Sequence, residues 1–343
     1  MTDTPRELHP VDPADARTTS EAVLFEIRRV IVGQDAMLER VLVALLSGGH
    51  LLLEGVPGLA KTLTIKTLAD VLDASFRRIQ FTPDLVPADL VGTRIYNQKT
   101  GEFSTSLGPV FTNLLLADEI NRAPAKVQSA LLEVMQEHQV TIGHDTFKVP
   151  SPFLVLATQN PIETEGTYAL PEAQVDRFML KVLVGYPTQT EEYAIVERMT
   201  GPLDTVGQVL STDELVELQR ATDRVYVDPS LYEYAVRLAT ATRHPESFGM
   251  PDLQRYITFG ASPRASINLI LTARALAFIR GRSYALPQDV VDMARDVMRH
   301  RLVLTFEALS DDISADDILT TVLRTVPAPA VPTKELPNVH VHA

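Results

Sequence analysis

Between about residue 50 and residue 187 the chain alternates short apolar runs with longer stretches of helical periodicity. Five runs stand out: HLLLE (50–54), FRRIQF (76–81), NLLLADE (113–119), FLVLATQ (153–159) and LKVLV (180–184). A strand with one wet face would alternate apolar and polar residues. Continuous runs joined by helices instead predict a parallel sheet covered on both faces. Two other segments do alternate: residues 93–108 flank a Lys-Thr-Gly turn and residues 139–149 flank Gly143, and each predicts a β-hairpin. Past Tyr186-Pro187 the strand signal fades and helical patterns take over, beginning near Asp213 and then covering 229–242, 262–280 and 287–299. The third is apolar nearly all round, broken by Asn268, Thr272 and Arg274, and so predicts the buried centre of a helical second domain. Residues 1–19, with Pro5, Pro10 and Pro13, and residues 326–343, with Pro327, Pro329, Pro332 and Pro337, lack periodicity and read as disordered tails. The expected division is thus 1–19 tail, 20–187 α/β domain, 188–325 helical domain and 326–343 tail.

A chain of 343 residues has ample length for two such domains. It contains no cysteine, which removes thiolate metal sites, thiol nucleophiles and disulfides. The eight histidines are scattered, and none has the HExxH spacing of a metal-binding helix. The first residues lack the basic and apolar blocks of a leader, and no apolar stretch is long enough to span a bilayer, so a soluble cytoplasmic protein is expected. The net charge of −13 argues against a protein that coats nucleic acid. The hairpins do not reverse that: 93–108 carries a formal +1 from Arg94, Lys99 and Glu102, and Lys148 and Asp145 cancel in 139–149.

The run ending at Glu54 leads into Gly55, Val56, Pro57, Gly58, Leu59, Ala60, Lys61, Thr62 and Leu63, followed by a helical pattern to about Leu72. Strand, glycine-containing loop, Lys-Thr and helix form the setting of a phosphate-binding loop. Glycines let successive N–H groups face an anion, and the helix N-terminus adds positive potential. In such a loop Lys61 would reach the β- and γ-phosphates and Thr62 would ligate Mg²⁺. Ala60 replaces a glycine in the general pattern, which is tolerable where the backbone is already helical. Some sixty residues on, the run 114–119 ends in Asp118-Glu119. An aspartate there can hold Mg²⁺ through water, and the adjacent glutamate can polarise an attacking water.

The segments GVPGLAKT, LLLADEINRAP, ATQNPIETEGTYALPEAQVDRF and GASPRAS together resemble the AAA+ ATPases, and most closely the MoxR family, over about residues 20–325. The Ala60 variant is the form that family usually shows. The resemblance implies a P-loop core with a five-stranded parallel sheet, β-hairpin inserts and a smaller all-α lid. It also implies ATP and Mg²⁺ as cofactors and a homo-oligomeric ring, a hexamer. Its expected activity is ATP hydrolysis that remodels or matures a client protein complex, with a von Willebrand factor A domain protein as companion. By the same resemblance Val32, Gly33 and Gln34, after Ile31, contact adenine; Asn160 is the first sensor; and Arg177 is an arginine finger reaching the neighbouring subunit's ATP. Arg264 is the second sensor. Ser262 as cap and Pro263 at the first helical position place Arg264 in a first turn, where the dipole disfavours a cation and an arriving phosphate would offset it. Three rivals share parts of this pattern: a nucleic-acid motor of the helicase-loader or minichromosome type, a magnesium-chelatase-type motor subunit, and a nucleotide-dependent switch. The last has no use for Glu119.

Overall fold

All five apolar runs become strands of one parallel sheet. The computed structural model describes residues 13–330 apart from 57, 58, 60, 100, 161–165, 202 and 203. It opens with α1 (Pro13–Val30) and α2 (Asp35–Leu46), followed by β1 (Leu51–Glu54), α3 (Lys61–Val71) and β2 (Phe76–Gln80). Residues 13–19, read as part of a tail, are therefore helical. Proline suits the first turn of a helix, and Val23, Ile27 and Val30 form the buried stripe that docks α1. Val326, the first residue of the second expected tail, is buried in the core rather than loose, and residues 1–12 and 331–343 of the two tails lie outside the described residues.

Short α4 (Pro87–Val91) precedes the first hairpin, β3 (Gly92–Asn97) with β4 (Glu102–Leu107), after which β5 (Leu114–Asp118) returns to the sheet. Next come α5 (Ala125–Glu137), the second hairpin of β6 (Gln139–Ile142) and β7 (Asp145–Lys148), and β8 (Leu154–Gln159). α6 (Glu172–Val175) and β9 (Leu180–Leu183) complete this part. The strand order is β2-β5-β8-β1-β9, with every neighbour parallel. The unbroken apolar runs follow from two separate cores. Leu51, Leu53, Leu114, Leu116, Leu154 and Leu156 enter one core, while the alternate residues Leu52, Leu115, Ala117, Val155 and Ala157 enter the other. Successive side chains of a strand point to opposite faces, so a sheet covered on both needs apolar residues at every position.

The remaining segment begins with α7 (Gln189–Thr200), which has no buried residue, and α8 (Thr212–Asp223), started by a capping box in which Ser211 and Glu214 satisfy each other's amides. α9 (Pro229–Arg243), the strand β10 (Ile257–Phe259), α10 (Pro263–Ile279) and α11 (Pro287–Met298) follow. β11 (Val303–Leu304), α12 (Phe306–Ser310) and α13 (Ala315–Thr325) end the described fold. As its apolar surface predicts, α10 is central, packed by α9, α11, α8, α1 and α2. The antiparallel pair β10–β11 adds a small sheet to a lid otherwise built of helices. Lid helices and α2 share one hydrophobic core with a face of the sheet.

A charged network edges that junction. Arg40 on α2 meets Asp296 on α11 at 2.7 Å and donates to the Asp292 carbonyl. Behind it, the fully buried Asp289 accepts from Arg280 at 3.1 Å and Arg282 at 2.6 Å, and also caps the Leu286 amide. Without Asp289, Arg282 and the Leu286 amide lose a partner while Arg280 keeps Asp292, so Asp289→Ala is expected to lower the unfolding free energy by about 2 kcal/mol, read as a lower urea midpoint.

Candidate nucleotide site

β1, β5 and β8 are adjacent and parallel, so their carboxyl ends open side by side. What leaves those ends meets around an open cavity of about 590 Å³. Gly55, Leu59, Lys61, Thr62 and Leu63 contribute from the loop and from α3, Asp118 and Glu119 from the end of β5, and Asn160 from the end of β8. Pro57, Gly58 and Ala60 lie outside the described residues, and Val56 packs against the core beside the loop. Gly55 has a steric reason: a Cβ there would stand 2.4 Å from the Val184 carbonyl oxygen on the neighbouring chain segment.

Lys61 opens α3, and its Nζ donates to the Gly55 carbonyl at 2.6 Å. Burial pushes the ammonium below the usual lysine range, while Asp118, Glu119 and Glu54 pull it back. A half-buried cation among three carboxylates is a centre that an incoming polyanion can engage by displacing one carbonyl. Thr158 on β8 orients the acidic pair: its hydroxyl donates to Asp118 Oδ1 at 2.6 Å and accepts the Glu119 amide at 2.8 Å. Asp118 Oδ2 is met by Arg78 at 2.6 Å. Glu119 adopts a left-handed backbone (φ 56°), and its carboxylate accepts from Gln80 at 2.7 Å and pairs with Arg122 at 2.9 Å. A non-glycine residue held there is strained, and such strain concentrates at functional sites.

Nothing in the sequence pattern marks Arg78, Gln80 or Thr158 as site residues. Their placement follows from the register of β2 on β5, which sets Gln80 opposite Asp118 and Arg78 opposite Leu116. A second, smaller cleft of about 70 Å³ adjoins the first and is mostly apolar. Val32 and Gln34 line it with Ile31, and it is closed by Pro187 and by Ile195 and Met199 of α7, none of which the sequence had suggested. Gly33 has φ 66° and lies against Glu191, so a side chain would be both strained and obstructed.

Two expected site residues stand elsewhere. Arg177 is exposed just after α6, where its Nη1 donates to the Leu132 carbonyl at 3.0 Å, and it does not line the cavity of its own chain. Arg264 does not line it either. Its Nη1 is 3.4 Å from Asp176 Oδ2, and the Ser262 hydroxyl donates to the same carboxylate at 3.1 Å. An aspartate of the first domain thus places negative charge beside the cation at the start of α10.

The strand order, the loop leading into α3, the acidic end of β5 and the helical lid define a P-loop ATPase of the AAA+ class. Residues 50–180 match the family of ATPases associated with various cellular activities (AAA), and residues 252–322 match its AAA lid domain. Chaperone MoxR1 of Mycobacterium tuberculosis is 58% identical over 313 residues, 91% of this chain and 83% of that protein. The protein YeaC of Bacillus subtilis is 43% identical, covering 88% of this chain and 92% of its own. The crystal structure of a provisionally assigned ATPase from Cytophaga hutchinsonii superposes with a TM-score of 0.88 at 48% identity, over 93% of this chain and 97% of that one. The chain belongs to the MoxR family of AAA+ ATPases, and its activity is ATP hydrolysis.

Proposed function

We propose that the protein works as a homo-oligomeric ring, a hexamer, whose ATP hydrolysis remodels a client protein complex and so matures or activates it. The division of labour follows the site. Backbone N–H groups of the loop 55–63, Pro57 having none, together with Lys61 hold the phosphates, and Val32, Gly33 and Gln34 border the base. Thr62 and Asp118 are the groups that would hold Mg²⁺, and the ion would neutralise charge on the phosphates when bound. Three observations support the fit: a helix N-terminus, a lysine beside it, and an aspartate oriented by Thr158. Glu119 takes the proton of the attacking water once it leaves Gln80 and Arg122, and the buried Asn160 orients that water. Arg177 serves the neighbouring subunit's nucleotide. A von Willebrand factor A domain protein is the companion the family leads us to expect, and the cytoplasm is the expected compartment. Among the described residues no helix is long and apolar enough to cross a membrane.

The observation that carries a protein client is the first hairpin. Ile95, Tyr96 and Phe103 on β3–β4 are 51%, 52% and 59% exposed, with the two rings 5.0 Å apart and Arg94 over Phe103. An exposed aromatic and aliphatic group with almost no net charge suits a protein surface better than a phosphate backbone. The second hairpin contributes less than its sequence suggests, because Ile142 is buried and Phe147 packs against the core. That Mycobacterium tuberculosis MoxR1 is named a chaperone supports the same reading.

The test measures ATPase rate and binding at low salt with single-stranded DNA, duplex DNA and RNA. Indifference to all three is expected. Stimulation of about threefold or more, or an affinity that falls steeply with salt, would favour the helicase-type alternative.

A further inference from the structure

The residue carrying the proposed finger is pinned on both sides from the lid. Arg301 closes the single 3-10 turn Arg299–Arg301 after α11, and its side chain is 0% exposed. The guanidinium reaches across the domain junction into the segment that runs from α6 to β9. Its Nε is 2.9 Å from Asp176 Oδ1, and its other nitrogens donate to the carbonyls of Asp176 at 3.1 Å, Phe178 at 2.6 Å and Met179 at 3.3 Å. A further bond, to the Val297 carbonyl, ties the same group to α11. Ser262 and Arg264 hold the Asp176 carboxylate from the start of α10. Phe178 is fully buried, and its carbonyl also stands 3.0 Å from His300 Nε2. Between these anchored neighbours Arg177 alone is exposed.

Burying an arginine is costly, and an apolar side chain of similar size could fill the space at lower cost. What the guanidinium adds is a rigid planar fork that engages several carbonyls at fixed angles, which a lysine cannot copy. Burial lowers its pKa to about 10, against the pull of Asp176, so it stays charged at neutral pH.

We propose that Arg301 is the positioning residue for Arg177: a subunit's lid, through Arg301 and Asp176, aims the group that the subunit offers to its neighbour's ATP. The inference rests on the reading of Arg177 as acting in trans. It makes the lid of one subunit a determinant of turnover in the next, without any contact between that lid and the second nucleotide.

The test uses the full chain, with Arg301→Lys checked for folding by circular dichroism and for assembly by sizing. kcat is expected to fall about 10- to 100-fold, the cost of misplacing a catalytic group by about an ångström, while KM for ATP stays near the parental value. Turnover of the variant is then measured after mixing with an equal amount of Glu119→Gln, a subunit with an intact finger and an impaired site of its own. Recovery of turnover is expected, because the site of the Arg301 variant is whole and needs only a competent neighbour. Damage to its own site would not recover. Should Arg301→Lys fail to fold, Asp176→Asn keeps the shape, removes the charge that anchors Arg301, and carries the same test. Parental kcat, or loss that mixing does not repair, overturns the proposal. Arg177→Ala in parallel separates the two ideas. If it loses turnover and is repaired by mixing while the Arg301 variant hydrolyses normally, only the positioning role falls; if Arg177→Ala itself hydrolyses at the parental rate, the reading in trans falls with it.

Discussion

Glu119→Gln is expected to bind ATP and retain it, with turnover reduced about 10³-fold. The substitution keeps the size and most hydrogen-bonding capacity of the side chain but removes the base. In the structure the carboxylate is engaged by Gln80 and Arg122, and the left-handed backbone at 119 is held by the amide bond to Thr158. These supports are geometric, and a glutamine can occupy the same place. Affinity should therefore survive while the chemical step does not. Lys61→Ala separates the other half of the site: it removes the cation that Asp118, Glu119 and Glu54 surround, and nucleotide binding is the step that should be lost. Direct ATP-binding titration together with steady-state phosphate release checks both variants. Parental turnover by Glu119→Gln would show that another group activates the water. Unchanged ATP affinity in Lys61→Ala would place the phosphates elsewhere.

The parts of the fold that could be read from sequence are those where one physical demand acts on consecutive residues. Leu51 to Leu53 had to be apolar throughout because Leu52 faces one core and its neighbours the other, and the same holds from Leu114 to Ala117. The loop into α3 and the acidic end of β5 were legible for a similar reason, since their chemistry is local. The missing parts depend on what lies across the sheet or across the domain junction. Arg78 and Gln80 reach the site because β2 pairs with β5 in one register, and nothing within FRRIQF states that register. α7 buries no residue, so it lacks the stripe that announces a packed helix, yet Ile195 and Met199 close the site. Arg264 shows the limit of a correct local argument. A cation in the first turn of α10 calls for negative charge nearby, and only the fold brings Asp176 to within 3.4 Å of it. In the first tail the prolines suggest disorder, whereas Pro13 marks the start of α1.

Arg177→Ala is expected to bind ATP normally and to hydrolyse it about 10³-fold more slowly, the lower end of what an arginine finger contributes. The expectation depends on where Arg177 lies. It is exposed, stands on the turn after α6, and is absent from the lining of the cavity that Lys61, Asp118 and Glu119 share. A group so placed cannot act on the nucleotide bound by its own chain without rearrangement of a segment whose flanking residues are anchored by Arg301. It can act on a nucleotide presented by an adjacent copy. Two consequences follow that a local role does not share. Specific activity of the parental protein should rise with protein concentration and then reach a plateau, because on this proposal a lone subunit would be without the Arg177 charge that an adjacent copy brings to the transferring phosphoryl group. Mixing Arg177→Ala with Glu119→Gln should restore turnover that neither has alone, since each supplies what the other lacks. Activity per subunit that stays flat down to concentrations where sizing finds only monomer would end the argument for action in trans. In that case the single bond from Arg177 to the Leu132 carbonyl would be its whole role, and substitution by alanine should change stability slightly and turnover not at all.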